Sequence, residues 1–364
     1  MMCLSEEQQI LRTSIKDFVK RYVVPGLNEI KNDRFPRDIL RELGKNGFFN
    51  VMIPGFGVQD SYSYSLIVEE LASASPSLAW LYVTHVAAAY ALSRMGSEDQ
   101  KSQYIEKMAD GRLLATIAIT EPASGATASA VQTKAEFDGK AWVINGSKTF
   151  ITMASDADAF IIMARSDSEK PAFTDFILRS DDRGVSRSAS LKGSGMPGIG
   201  WGEIFLENVE TGQDRVLGNR NEGIKIIPTI AKVFTIGAAS ISLGIMDVLN
   251  ANALEHIRER KINGSSLSSF QVVQDRYLHM YTNGQAASAL IYRAAINDDI
   301  KLAYAAKVFA TEKAIENAVT ASRLFGANGY ERSVGIASYI DDALAVPLHF
   351  INNDVLTGLF MNSV

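Results

Sequence analysis

The chain holds 364 residues, 47% of them hydrophobic, and carries a formal net charge of −5. That length and apolar share support two or three packed domains, while the mild acidic excess argues against a nucleic-acid footprint, which needs clustered Lys and Arg. The one cysteine, Cys3, rules out an intramolecular disulfide framework and a thiolate cluster for zinc or iron–sulfur.

The N-terminus turns acidic and amphipathic at once and lacks the apolar core of a secretory signal. No run reaches about 18 uninterrupted apolar residues, the length of a membrane span. A cytoplasmic protein without membrane attachment is the expectation. From Ser5 to about Gly111 apolar residues recur at helical spacing, and Ser5 with Gln8 forms a capping-box pattern ahead of Ile10, Leu11, Ile15 and Phe18. Pro25 and Pro36 punctuate this stretch, Asp60 to Ser63 opens another helix, and Ser97 caps the helix that carries Tyr104.

Between Leu114 and Leu217 the period changes to two. Strand-like runs at 134–137, 141–144, 160–164 and 203–206 are separated by Gly, Asp and Ser clusters, and Asn145-Gly146 reads as a hairpin signal. After Gly223 the helical period returns over 224–257, 270–295 and 300–324, as antiparallel bundle helices require. The order predicts an α+β chain with a helical domain at 1–113, a β domain at 114–221 and a helical-bundle domain at 222–364. It excludes a doubly wound nucleotide fold, which alternates strand and helix throughout.

Gly193 to Gly198 matches GxGxxG by letter but leads into the strand at 203–206 instead of opening a helix, so it reads as a loop. The histidines His85, His256, His279 and His349 are scattered, His256 and His279 read as helical without a carboxylate or Cys at metal-ligand spacing, and no Ser sits in a GxSxG elbow. Neither a metal site nor a hydrolase triad is expected. Ser124, Thr127 and Ser129 read either as a solvated loop or as a small-residue loop whose N–H groups approach a ligand, flanked by the hydroxyls of Thr120 and Thr152. Arg260 lies in a basic helix end, which is either solvated or a fork for a pyrophosphate, with Gln271 opening the next helix. The glycines of 324–330 suit a helix end and a tight turn.

Taken together, the run 119–152 with its Thr-Glu-Pro turn and Phe150-Ile151-Thr152 end, the N-terminal LSEEQQILRTSIKDFV and the FGANGY turn resemble the acyl-CoA dehydrogenase family along essentially the whole chain. The resemblance implies an N-terminal α domain, a β-barrel-like middle domain and a C-terminal four-helix bundle, assembled as a homodimer or homotetramer with FAD at a subunit interface. By matching position, Ile119, Thr120, Gly125, Ala126, Phe150, Ile151 and Thr152 line the flavin. Arg260, Gln271, Arg323, Gly326 and Ala327 hold the pyrophosphate and adenosine side of a neighbouring subunit's FAD, and Asn352 and Asp354 match flavin-contacting positions. His85, Phe234 and Phe350 match substrate-facing positions. Asn263 stands where a Phe usually follows the Arg-Lys pair, and Arg323 where a Gln usually precedes the FG turn.

In the family's reaction a flavin takes hydride from Cβ of an acyl thioester while a Glu removes the Cα proton. Its two known locations for that Glu match Phe350 and Phe234 here, and neither side chain can take a proton. Three explanations stand: His349 is the proton acceptor, Asp354 or a bound water serves, or the reaction does not begin at an acidic Cα–H. The resemblance therefore implies FAD-dependent oxidation of a short acyl thioester on CoA or an acyl carrier protein, after the manner of acyl-ACP members of secondary metabolism. Electrons would pass to an electron-accepting flavoprotein or to oxygen. A flavin monooxygenase of the same fold and a non-catalytic flavoprotein subunit are the alternatives.

Overall fold

The structure is a computed structural model describing residues 4–57, 59–125, 127–167 and 172–363. The N-terminal part is helical: α1 (Glu6–Phe18), α2 (Val24–Lys31), α3 (Arg37–Lys45), α4 (Ser61–Ala74), α5 (Pro76–Met95) and α6 (Glu98–Ala109). Local chemistry sets their starts. Ser5 and Gln8 form the reciprocal capping box of α1, Ser97 and Gln100 that of α6, and the Asp60 carboxylate accepts from the second and third N–H groups of α4. Helix α5 is buried on nearly every side, so its sequence carries little amphipathic signal.

The middle part is a single eight-stranded sheet built from β1 (Ala115–Ala118), β2 (Lys134–Phe137), β3 (Trp142–Ile151), β4 (Ala159–Asp167), β5 (Ala172–Arg179), β6 (Val185–Arg187), β7 (Gly202–Thr211) and β8 (Val216–Leu217). The strands run in the order β6-β7-β3-β2-β4-β5-β8, with β1 parallel to β4. Asn145-Gly146 does not turn the chain. Both residues lie inside β3, where a register shift against β7 marks a bulge and Gly146 takes φ 152°. A Cβ at Gly146 would stand 2.6 Å from the Thr133 hydroxyl, so the glycine serves close approach of two segments and not a hairpin.

Three long helices follow, α7 (Ile226–Glu259), α8 (Gln271–Asn297) and α9 (Ile300–Phe325), with the short helices α10 (Ser338–Ala345) and α11 (Asn353–Ser363) packed on α9. A window of α7 is apolar enough to cross a membrane, but 78% of it is buried inside the fold, between α4, α5, α8 and α9. It is the core helix on which the N-terminal and C-terminal helices meet. The glycine loop 193–202 ties the parts together: Gly198 N–H donates to Asp33 at 2.7 Å, Met196 N–H donates to Asp342 of α10 at 2.6 Å, and Ile199 O accepts from Met153 N–H at 2.9 Å.

Candidate active site

Strand β1 delivers Ile119 and Thr120 next to the end of β3, and a buried ion pair locks the two together. Glu121, 4% exposed, accepts from Gln132 N–H, Thr133 N–H, the Thr133 hydroxyl and Lys148 Nζ, the last at 2.7 Å. Lys148 is fully buried and also donates to Ile119 O at 3.1 Å, while Thr149 N–H donates to Thr120 O at 3.0 Å. Burial pushes the Lys148 ammonium down to about 8, against the pull of Glu121. For Glu121 burial works upward, and the Lys148 charge with the donated bonds outweighs it and holds the carboxyl below its usual range. The carboxylate thus closes 121–133 into a fixed loop.

On that loop Gly125 is exposed with φ 44°; Ala126 lies outside the described residues. Phe150, φ 56° and 54% exposed, leans on Trp201 of the glycine loop with ring centroids 5.0 Å apart. The Ile151 side chain is turned into the core. Thr152 accepts through its hydroxyl from Trp80 Nε1 at 3.0 Å, which brings α5 to the end of β3.

Trp80 starts an aromatic cluster on the helical side. Its ring is 5.7 Å from that of Phe234 on α7 and 4.3 Å from His349, and Phe234 stacks on Phe350 at 4.5 Å with planes 12° apart. The two phenylalanines, 116 residues apart in sequence, therefore occupy one place in space. His349 donates Nδ1–H to Ala345 O at 2.6 Å, which leaves Nε2 unprotonated, enclosed and without a partner among the described residues. Burial pushes the imidazole down to about 4, the Ala345 bond opposes, and the Lys307 charge adds to the fall. Asn352 caps α11 by accepting from Val355 N–H at 2.9 Å, and Asp354 is exposed on the first turn.

His85, expected to face the substrate, lies away from this cluster. It is fully buried, with Nε2 2.9 Å from Met108 O and Nδ1 accepting from Ala115 N–H at 3.2 Å, and its ring packs edge-on against Phe49. A helix buried all round sends side chains away from the site as well as toward it, and His85 points to the α6–β1 side. The α5 residue that reaches the site is Trp80.

A second region lies at the far end of α7. Arg260, Arg323, Gly326 and Ala327 line one cavity of about 350 Å³ together with Arg276, and His256 stacks on Phe325 at 4.0 Å along its wall. Gln271 begins α8 close by but does not line the cavity.

Family models of the acyl-CoA dehydrogenase N-terminal, middle and C-terminal domains match residues 5–112, 116–209 and 221–349. The chain belongs to the acyl-CoA dehydrogenase family. It is an FAD-dependent oxidoreductase acting on acyl thioesters. It is 31% identical to the 3-(aryl)acrylate reductase of Clostridium sporogenes over 96% of both chains, and 30% identical to the glutaryl-CoA dehydrogenase of Desulfococcus multivorans over 93% of this chain and 92% of that one. The solved butyryl-CoA dehydrogenase of Megasphaera elsdenii superposes with a TM-score of 0.96 over 100% of this chain and 99% of the other, at 26% identity. The residues present fit FAD: three guanidinium groups around one cavity are a donor set for a diphosphate, and the locked segments 119–120 and 149–152 offer an exposed aromatic ring and hydroxyls.

Trp80, Lys148 and Lys307 also shape the site, and the motifs along the chain do not single them out. A signal existed for Lys307, a lone cation on the stripe Ala303, Ala306, Ala310, Ala314 of α9.

Proposed function

We propose that this chain oxidises a short acyl thioester, presented by CoA or an acyl carrier protein, at a carbon bearing an O–H or N–H, with His349 as proton acceptor. One observation carries the reading: the two positions that match the family's carboxylate are filled by Phe234 and Phe350 stacked on each other, beside a histidine with a bare, unpartnered Nε2. FAD, when bound, supplies the hydride acceptor. Arg260, Arg323 and the 326–327 turn would hold its diphosphate side, and Ile119, Thr120, Gly125, Phe150 and Thr152 its ring. Asn352 and Asp354 at the start of α11 would approach it from the helical side.

Removing a Cα proton from a thioester calls for a base matched to a very weak acid, and an imidazole held near 4 is a poor match. A proton on oxygen or nitrogen becomes strongly acidic as hydride leaves the attached carbon. His349 Nε2 can take that proton, so the C–H and O–H bonds break and a C=O bond forms. The stacked rings fill space that a long acyl chain would need, which supports a short substrate. Exposed apolar residues along α8, among them Val272, Leu278 and Tyr281, support assembly as a homodimer or homotetramer.

Anaerobic mixing of the FAD-loaded protein with a thioester panel tests the reading. Short hydroxyacyl and aminoacyl thioesters should bleach the flavin absorbance; bleaching by saturated, unsubstituted acyl thioesters alone, or by none, would overturn it. The name of the 31% identical relative, together with the aromatic wall, favours a second reading, reduction of an arylacryloyl thioester. That reading expects such a thioester to reoxidise the chemically reduced protein.

A further inference from the structure

Lys307 is 1% exposed, on the small-residue face of α9. Its Nζ donates to the main-chain carbonyl of His349 at 3.1 Å and to that of Ile351, the residues on either side of Phe350. Phe350 holds φ 62°, left-handed backbone that a bulky residue keeps only when its surroundings impose it. A buried ammonium spent on two carbonyl dipoles is an unfavourable placement unless the geometry it enforces matters.

We propose that Lys307 is the positioning residue of the site: by gripping the carbonyls that flank Phe350 it sets the ring against Phe234 and holds His349 where its imidazole bonds Ala345. The grip rests on the reading of His349 as proton acceptor for its purpose, but not for its detection. Its charge acts directly on the imidazole, since burial first and Lys307 as well hold His349 below the ordinary histidine value. Loss of that charge therefore leaves a mark that loosened packing elsewhere does not.

The test is histidine C2 hydrogen–deuterium exchange, followed by mass spectrometry across pH, on the FAD-loaded wild type and on Lys307→Met and Lys307→Gln. In both variants the His349 midpoint should rise, short of the ordinary histidine value because burial remains, while that of His85, buried among Phe49, Met108 and Ala115, stays put. Thioester-driven flavin reduction should fall at least ~10-fold in Lys307→Met with KM little changed, and recover in part in Lys307→Gln, which keeps N–H donors. An unmoved His349 midpoint, or one that moves together with His85, overturns the proposal. If thioesters reduce none of the proteins, the proton-acceptor reading falls while the exchange data still decide the grip. Should Lys307→Met fail to fold, Lys307→Gln carries the same decision.

Discussion

The sheet wall of the site and its helical wall each bury one lysine, and burial pushes both ammonium groups down to about 8. Lys148, on the sheet side, meets the Glu121 carboxylate at 2.7 Å, and that carboxylate is saturated by three further donors. Lys307, on the helical side, meets two main-chain carbonyls and no carboxylate among the described residues. The sheet wall is thus a closed electrostatic unit whose members cannot be exchanged singly, because a stranded buried charge is worse than no pair at all. On the helical wall Phe234 and Phe350 are stacked beside His349, whose Nε2 has no partner among the described residues. On the function proposed above, departure from the family should show in substrate and mechanism and not in FAD binding.

His349→Ala should break the helical wall hardest, lowering thioester-driven flavin reduction by roughly 10²–10⁴-fold while FAD content holds; a near-normal rate in stopped-flow measurements would remove His349 from the mechanism. Lys148→Met should break the sheet wall, stranding the 4% exposed Glu121, with a loss of about 3–5 kcal/mol in urea unfolding and failure to retain FAD. A loss confined to activity would show that the pair is not the lock described above. Phe350→Glu sharpens the contrast by returning a carboxylate to the helical wall. It should raise oxidation of saturated acyl thioesters from none to a measurable rate, and a folded, yellow, inert variant would argue against the match of Phe350 to the base position.

The smallest effect concerns Asp342, which joins the walls by accepting from Met196 in the glycine loop that carries Trp201 to Phe150. Burial, with the charge of Asp341, pushes Asp342 up from 3.8 to about 6 against the Met196 bond. A carboxyl whose folded value is raised contributes stability that is fully present below the unfolded value and is lost as pH rises through the folded one. Asp342→Asn should therefore exceed wild-type stability by about 1–3 kcal/mol above pH ~6, with the gap closing toward pH ~4. A pH-independent difference in thermal melts would contradict the assignment.

Much of the framework was legible in the residues. The capping boxes at Ser5 and Ser97 and the strand runs rest on interactions within four residues or on a period of two, and both are written along the chain. Asn145-Gly146 misled because the dipeptide that makes a hairpin turn also permits a bulge, and the choice fell to Thr133, just ahead of β2. His85 misled because position on a helix buried all round does not say which side faces the site.

Residue type and spacing along the chain were enough to give the order of helical and sheet parts and the family. Only the tertiary structure decided that Phe234 and Phe350 are one stacked pair, that His349 keeps its proton on Nδ1, and that Lys307 grips the loop between them. The stacking and the grip join residues 116 and 42 positions apart, and no local pattern encodes a distance that only packing sets.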